Sequence, residues 1–275
     1  MINREYLRST KPVYMSKYVY RFFVFQWQLL VANYQDWQDR RSSGYVVVPP
    51  ARLRHRVHGG LDKNSFLALG KVLADDIKKL CRLSGRELYE FENILDFGCG
   101  SGRVIRNFDD APSSCQFNGT DIDKELVTWC ANNLQGVNWQ LNGYQPPLSY
   151  PDNTFDLIYA ISVFTHLDED FQHAWLKELQ RIAKPGATLI LSVHGEYCIN
   201  LLPIQRQQQV HTQGFGYMKG PSGWLKLDKL PDFYQTSFHT EQYILDTWSL
   251  YFDISHYVKR GLNNHQDAVI LKVRK

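Results

Sequence analysis

The sequence predicts an α/β fold, a doubly wound, mostly parallel sheet of seven strands whose last strand is antiparallel. Between residues 61 and 195, amphipathic helical segments alternate with short runs rich in β-branched residues, the pattern of a parallel sheet covered on both faces. A glycine-rich turn directly follows the first of these strands. The last two apolar segments are joined by a turn, which predicts a closing antiparallel pair.

The predicted elements follow one another along the chain. Strands are predicted at residues 93–97, 116–120, 138–141, 155–161, 188–193, 253–259 and 268–273. Helices are predicted at residues 65–83, from about 102, and at 124–134, 168–182 and 240–250. Because strands and helices alternate, residues 61–275 are predicted to form one doubly wound α/β domain.

Residues 1–60 are predicted to form a basic, aromatic N-terminal extension with a helix at about 18–37. This segment has ten Lys and Arg against three Asp and Glu, a formal charge of +7, whereas the whole chain carries only +3. A small net charge excludes a uniformly basic surface of the kind that binds nucleic acid. At 44% hydrophobic residues, the chain is also not a disordered protein.

Residues 196–239 interrupt the alternation and are predicted to be a lid-like insertion. They are rich in glutamine, glycine and aromatic residues. Tyr234 and His239 lie where the insertion returns to the sheet, so both are predicted substrate contacts. An insertion of this length is able to cover a site.

The spacing of the cysteines and the length of the apolar segments indicate the cellular compartment of the protein. Five widely spaced cysteines without a CxxC pair argue against a disulfide framework and against a zinc site. The longest apolar run, residues 22–32, is shorter than the ~20 residues that span a bilayer, and no cleavage site follows it. We therefore expect a cytoplasmic protein with no membrane segment and no bound metal.

The strongest motif is a buried strand that runs into a glycine-rich turn, residues 94–103. Gly98, Gly100 and Gly102 allow the backbone to approach a ligand closely. Nineteen residues after Gly102, the next strand ends at Asp121, where a carboxylate is placed to accept both hydroxyls of a ribose. The dinucleotide fingerprint requires Gly or Ala where this chain has Arg103, which disfavours nicotinamide and flavin dinucleotides.

The motif D-x-G-x-G-x-G at residues 96–102 resembles the first motif of the class I, Rossmann-like S-adenosylmethionine-dependent methyltransferases. The runs PDNTFD at 151–156 and RIAKPG at 181–186 resemble the entries to that family's fourth and fifth strands. The resemblance implies that S-adenosylmethionine is the cofactor, with its amino acid end on the loop and its ribose on Asp121. The cofactor-binding residues so predicted are Asp96, Gly98, Gly100, Gly102, Asp121, Ile122, Asn142, Gly143 and Ser162.

Three histidines are predicted near the carboxyl ends of the strands, where ligands of open α/β sheets bind. His194 follows the fifth predicted strand and is the first candidate for a general base, because an ordinary histidine pKa near neutrality suits proton removal. His166 and His265 are the other candidates, and Asp267 is expected to orient His265. An N-cap at Thr165 would instead leave His166 in the first turn of a helix.

The predicted function is S-adenosylmethionine-dependent methyl transfer to oxygen or nitrogen of a small-molecule or glycan-precursor acceptor. Residues 53–59 and 261–267 resemble bacterial methyltransferases met near polysaccharide and natural-product biosynthesis. Two alternatives stay open: an RNA or protein methyltransferase that uses the basic extension, and a catalytically silent cofactor-binding scaffold. Residues 160–162 read Ala-Ile-Ser, unlike the [DN]-P-P-[YF] motif of base-amine methyltransferases, so nucleic acid is the less favoured partner. The oligomeric state is left open.

Overall fold

The computed structural model describes residues 11–108, 110–218 and 235–274. The chain divides into two compact units, one through Phe66 and one from Leu67 onward. None of the described helices is long and apolar enough to cross a membrane.

The first unit is helical in its described part. Helix α1 covers Lys11–Asp39, α2 covers Ala51–His58, and α3 covers Lys63–Leu83 and continues into the second unit. Helix α1 is longer at both ends than the predicted helix at about 18–37. Pro50 precedes α2 as its N-cap residue, and Gly59 ends the helix in the left-handed conformation.

A buried ion pair joins α1 to α2. The Arg54 guanidinium, 1% exposed, donates to both oxygens of Asp36 at 2.8 and 3.1 Å. It also donates to the carbonyl oxygens of Pro49 and Leu61. Since Arg54 is buried and its donors are used, it is not part of a basic surface, which weakens the alternative that residues 1–60 form an electrostatic arm for RNA.

We predict that Asp36→Ala destabilises the first unit by about 3–5 kcal/mol, because it leaves the Arg54 charge buried without its partner. Urea denaturation of the full chain, followed by tryptophan fluorescence, measures the loss. Asp39→Ala is the matched control, since Asp39 is a more exposed carboxylate on the same helix that pairs with Lys63. Its removal is expected to cost under about 1 kcal/mol. Equal costs for the two variants would contradict the prediction.

The second unit contains the predicted seven-stranded sheet. Its strands are β1 Asn93–Phe97, β2 Gln116–Asp121, β3 Val137–Leu141, β4 Phe155–Ala160, β5 Ala183–Val193, β8 Asp253–Leu262 and β9 Gln266–Lys272. The spatial order is β3-β2-β1-β4-β5-β9-β8. Strands β1 to β5 are parallel, and β9 runs antiparallel to both β5 and β8. The predicted fold class, with an antiparallel last strand, is confirmed.

Both faces of the central strands β1 and β4 are buried, as expected for parallel strands. Along β1, Ile94 belongs to the apolar cluster on one face, while Leu95 and Phe97 belong to the cluster on the other. Phe97 packs on Trp175 with ring centroids 4.8 Å apart. The described helices of this unit after α3 are α4 Lys124–Asn133, α5 Glu169–Ile182, α6 Glu196–Ile199, α7 Ile204–Gln213 and α8 Glu241–Thr247.

The helix predicted from about residue 102 is wrong. The segment after the glycine turn forms turns and a short 3₁₀ helix at Ile105–Asn107. Gly98, Gly100 and Gly102 all have positive φ. A right-handed helix does not accept that conformation, so regular helical bonding does not begin within the turn.

The region predicted as an insertion, residues 196–239, contains α6, α7 and a separate two-stranded sheet. Its strands are β6 Phe215–Met218 and β7 Thr236–His239, paired antiparallel. Strand β7 contacts the loops that follow β4 and β5, because Ser237 N donates to Thr165 O and His239 N donates to His194 O. Tyr234 lies outside the described residues.

Candidate active site

The glycine turn after β1 is fixed by the end of β2. The amide nitrogens of Gly98 and Cys99 both donate to the Thr120 carbonyl, at 2.9 and 3.0 Å. Gly100 N donates to Asp121 Oδ2 at 2.8 Å. Gly100 of the motif and Asp121, which are 21 positions apart in the sequence, are therefore in direct contact.

Gly98 also sets the distance between the turn and the segment after β4. Its φ is 78°, and an added Cβ would overlap Val163 Cγ2. No other residue therefore fits at position 98 without moving Val163 and straining the backbone. Ser162 precedes Val163 and has a φ of 60°, a left-handed conformation uncommon for serine.

Asp121 has the acceptor capacity that a ribose diol requires. Oδ1 accepts from Asp123 N and Oδ2 from Gly100 N, both at 2.8 Å. An ionised carboxylate has about four lone-pair positions, so about two remain for hydroxyl donors. Burial raises the pKa of Asp121 to about 6, against the opposing effect of hydrogen bonds from Asp123 and Gly100. Asp121 is thus mainly ionised at neutral pH.

Asp96, the first residue of the motif, is a second buried carboxylate. Burial raises its pKa to about 7; the neighbouring Tyr159 hydroxyl lowers it, the Asp121 carboxylate raises it, and the Arg103 charge lowers it. Two buried carboxylates with raised pKa values suit a cationic ligand, whose charge would favour both ionised forms. S-adenosylmethionine carries such charge on its sulfonium and ammonium groups, and the residues present fit it.

The remaining predicted cofactor residues lie beside β2 and β3. Asn142 Oδ1 accepts from Thr120 Oγ1 at 2.9 Å, and its Nδ2 donates to Gly143 O at 2.8 Å. The Asn142 side chain is therefore fixed at the end of β3. Ile122 is half-buried next to Asp121, and Gly143 is exposed.

A short hydrogen bond and a longer polar contact lie between Ser162, a predicted cofactor residue, and the predicted catalytic histidine. Ser162 Oγ lies 2.9 Å from Gln266 Nε2, which in turn lies 3.5 Å from His194 Nε2. The Ser192 hydroxyl accepts from Ser162 N at 2.7 Å and fixes the backbone there. Val163, the residue after Ser162, lies against Gly98 of the glycine turn. Ser162 and Gln266 therefore lie between His194 and the glycine turn.

The structure brings the three predicted histidines together into one cluster. The ring centroid of His194 lies 6.3 Å from that of His166 and 6.2 Å from that of His265. His166 Nδ1 lies 2.6 Å from Gln235 O. Asp168, and not Thr165, caps helix α5, so His166 lies in the turn before the helix and not in its first turn.

His194 is held as a neutral imidazole. Its Nδ1 lies 3.1 Å from the Ser237 carbonyl oxygen, which only accepts, so Nδ1 carries the ring hydrogen and Nε2 has the lone pair. Burial, followed by His166 and His265, lowers the pKa of His194 to about 4, although the Ser237 carbonyl raises it. The expected pKa near neutrality is wrong, because the buried cluster penalises the imidazolium.

Asp267 does not orient His265, contrary to the prediction. It is 1% exposed, and its carboxylate accepts from Tyr257 Oη and Arg260 N at 2.7 Å each. The β8–β9 turn directs His265 instead toward Cys198, whose Sγ lies 3.7 Å from His265 Nε2. A Cβ at Gly195 would overlap Asp267 Oδ2, so the backbone after His194 is packed against this carboxylate.

His239 is not a substrate contact in this structure. It is fully buried, its Nε2 lies 3.0 Å from Gln172 Oε1, and burial lowers its pKa to about 3. Its ring packs against Phe215 and Trp248. It is a core histidine, since the last three residues of β7 are all buried.

Gln266 and Cys198 are the site residues that the sequence did not indicate. Gln266 falls between the predicted closing strands at 253–259 and 268–273. In the structure it is the first residue of the antiparallel strand β9, which begins at the edge where the parallel strands end. Cys198 lies four positions after His194. This spacing predicts that the two side chains are close only if the conformation of the residues between them is known.

Comparisons with known proteins find methyltransferases. Residues 95–191 match the family model described as a methyltransferase domain. Ajmaline N-methyltransferase of Rauvolfia serpentina is 32% identical over 112 residues, 37% of this chain and 36% of that protein. Sterol 24-C-methyltransferase erg-4 of Neurospora crassa is 33% identical over 99 residues, 34% of this chain and 26% of that protein. The chain thus spans about a third or less of the length of these two relatives.

A solved structure shows the same fold over most of the chain. The 1,6-didemethyltoxoflavin-N1-methyltransferase of Burkholderia thailandensis has a TM-score of 0.53 at 15% identity, covering 85% of this chain and 94% of that one. The strand order, the motif and the family match define a class I methyltransferase domain. Residues 95–191 thus form a domain of the S-adenosylmethionine-dependent methyltransferase kind, for which S-adenosylmethionine is the cofactor.

We predict that Asp121→Asn weakens S-adenosylmethionine binding by ~2 kcal/mol, because a carboxylate that accepts hydroxyls is replaced by an amide. In the wild type, affinity is expected to fall as pH is lowered from about 8 to about 5, since Asp96 and Asp121 then take up protons. S-adenosylhomocysteine, which lacks the sulfonium charge, is expected to show a shallower pH dependence. Titration calorimetry measures both ligands.

Asp123→Asn is the control for this prediction. Asp123 caps helix α4 by accepting from Glu125 N and Leu126 N. Asn is an equally good N-cap, so the variant removes a neighbouring charge and keeps the fold. If Asp121→Asn and Asp123→Asn bind the cofactor alike, Asp121 is not the ribose ligand.

Proposed function

We propose that this protein transfers the methyl group of S-adenosylmethionine to an oxygen or nitrogen atom of a small-molecule or glycan-precursor acceptor. The observation that carries the proposal is the histidine cluster. The cluster consists of His166, His194 and His265, with His194 between the other two. Gln266 lies between His194 and Ser162, and Ser162 is next to the residue that contacts the glycine turn.

S-adenosylmethionine supplies a methyl group on a sulfonium sulfur, an electrophile that needs no activation by the protein. The cofactor would supply the methyl group and leave as S-adenosylhomocysteine, and the proton that the acceptor loses would pass through Nε2 of His194 to solvent. The protein's main task is to align the acceptor and exclude water. The half-buried His194 and its apolar neighbour Phe238, with ring centroids 5.5 Å apart, suit that task.

We assign His194 to hold the acceptor's O–H or N–H through its Nε2 lone pair. A group with a pKa of about 4 is a weak base, so the proton leaves the acceptor late, once the acceptor carries positive charge. This favours an amine, or a hydroxyl that gives up its proton as the methyl group arrives. Names among the relatives, such as ajmaline N-methyltransferase, agree with an amine acceptor.

The observations give less support to an RNA acceptor. The extension's Arg54 is buried in its ion pair with Asp36, which removes one of the basic residues that an electrostatic arm would use. Phosphate binding requires several exposed Lys and Arg side chains that release counterions.

Incubation of the protein with methyl-labelled S-adenosylmethionine and separated small-molecule, RNA and protein fractions tests the proposal. Label is expected in the small-molecule fraction, and Asp121→Asn is expected to reduce it strongly. Label in RNA or protein would transfer the assignment to that acceptor. Cofactor binding without transfer to any fraction would support a silent scaffold.

His194→Ala is predicted to lower turnover by about 100-fold, the lower end of effects seen for groups that handle the acceptor proton, with cofactor affinity changed less than about twofold. Because the neutral imidazole persists down to pH about 4, its contribution to kcat is expected to be flat from about pH 6 to about pH 8. His256→Ala, on β8 outside the cluster, is the control. A fall in wild-type kcat centred near pH 6.5 that disappears in His194→Ala would contradict the low pKa.

A further inference from the structure

We infer that His194, Cys198 and His265 form a binding site for a divalent transition-metal ion, with Zn²⁺ as the expected ion. Each residue offers one ligand atom, and the three atoms lie within 4.8 Å of one another. All three residues belong to the second unit. The inference uses their geometry alone and does not depend on the proposed function.

The spacing of the ligand atoms matches the requirements of zinc. With Zn–S of about 2.3 Å and Zn–N of about 2.0–2.1 Å, a tetrahedral ion places sulfur and nitrogen ligands about 3.6 Å apart. Cys198 Sγ and His265 Nε2 lie 3.7 Å apart. This pair is therefore at the separation that a shared ion requires, with little side-chain movement.

The orientation of His194 supplies the second observation. Histidines that bind metals usually donate the other ring N–H to a carbonyl or carboxylate, which fixes the tautomer. His194 has this arrangement, since Nδ1 lies 3.1 Å from Ser237 O and Nε2 keeps its lone pair. The nearest described donor to Nε2 is the Gln266 amide at 3.5 Å, too long to occupy the lone pair strongly.

The three ligands are carried by rigid elements. His194 follows the buried strand β5, and Cys198 lies on α6, 5% exposed, within an apolar cluster that contains Ile199 and Val210. His265 lies in the turn between β8 and β9, whose backbone is held by His265 N donating to Leu262 O. These elements fix the ligand atoms before an ion binds, which limits the ordering cost.

Two imidazoles and one thiolate are a donor set suited to zinc, and oxygen-preferring ions such as Mg²⁺ are disfavoured. Three protein ligands leave a fourth position open, as in catalytic zinc sites. At that position an acceptor's hydroxyl would bind the ion directly, and the pKa of the hydroxyl would fall. With the ion present, Nε2 of His194 would bind the metal and the acceptor would occupy the open position.

The test is metal binding by the untagged, chelator-treated full chain. Zn²⁺ is expected to bind with one-to-one stoichiometry in competition with a chromogenic chelator. Co²⁺ is expected to give a thiolate-to-cobalt charge-transfer band. Cys198→Ser and His265→Gln are each expected to weaken Zn²⁺ binding by more than about 100-fold, the upper limit for loss of an outer-shell partner.

His256→Ala is the matched control and is expected to bind Zn²⁺ as the wild type does. Thermal unfolding in the absence of metal shows whether each variant is folded; His265→Gln changes only a turn residue and keeps the test valid if Cys198→Ser does not fold. A wild type without the thiolate band, or variants that bind Zn²⁺ as tightly as the wild type, would overturn the inference. Zinc binding without methyl transfer to any acceptor would support the metal site and contradict the proposed function.

Discussion

The contact between the glycine turn and the end of β2 is the constraint on which the rest of the site depends. Thr120 O accepts two amides of the turn, and Asp121 accepts a third. These bonds require β1 and β2 to be parallel neighbours, because only then do both strands end at the same edge. The site therefore depends on the order of the strands in the sheet. The glycines allow the backbone of the turn to approach the end of β2 closely.

Two buried carboxylates beside this turn give the cofactor edge its charge. Burial disfavours their ionised forms, so the folded apoprotein stores part of the cost of ionising Asp96 and Asp121. A cationic ligand recovers that cost when it binds. Burial lowers the pKa of His194 instead, because its charged form is the protonated one. The imidazole therefore stays neutral and keeps a lone pair available.

The histidine cluster depends on strands of both directions. Strand β5 brings His194 to the edge from one side, and the antiparallel strand β9 begins there with Gln266, next to His265. Strand β7, from the region predicted as an insertion, adds the Ser237 carbonyl that fixes the His194 tautomer. This cluster is thus assembled from segments far apart in the chain, and each contributes a group that the others orient.

The sequence by itself determined the fold class, because local periodicity encodes the strands and helices. It also determined the glycine motif and its acidic partner Asp121, because Asp121 lies at the end of the next predicted strand. It did not predict that the segment after Gly102 lacks an α-helix, since periodicity carries no information on positive φ. Tertiary structure alone decided the partners of Asp267 and Cys198 and the burial of His239. Those properties depend on which distant segments meet, and on the desolvation that follows, which no local pattern encodes.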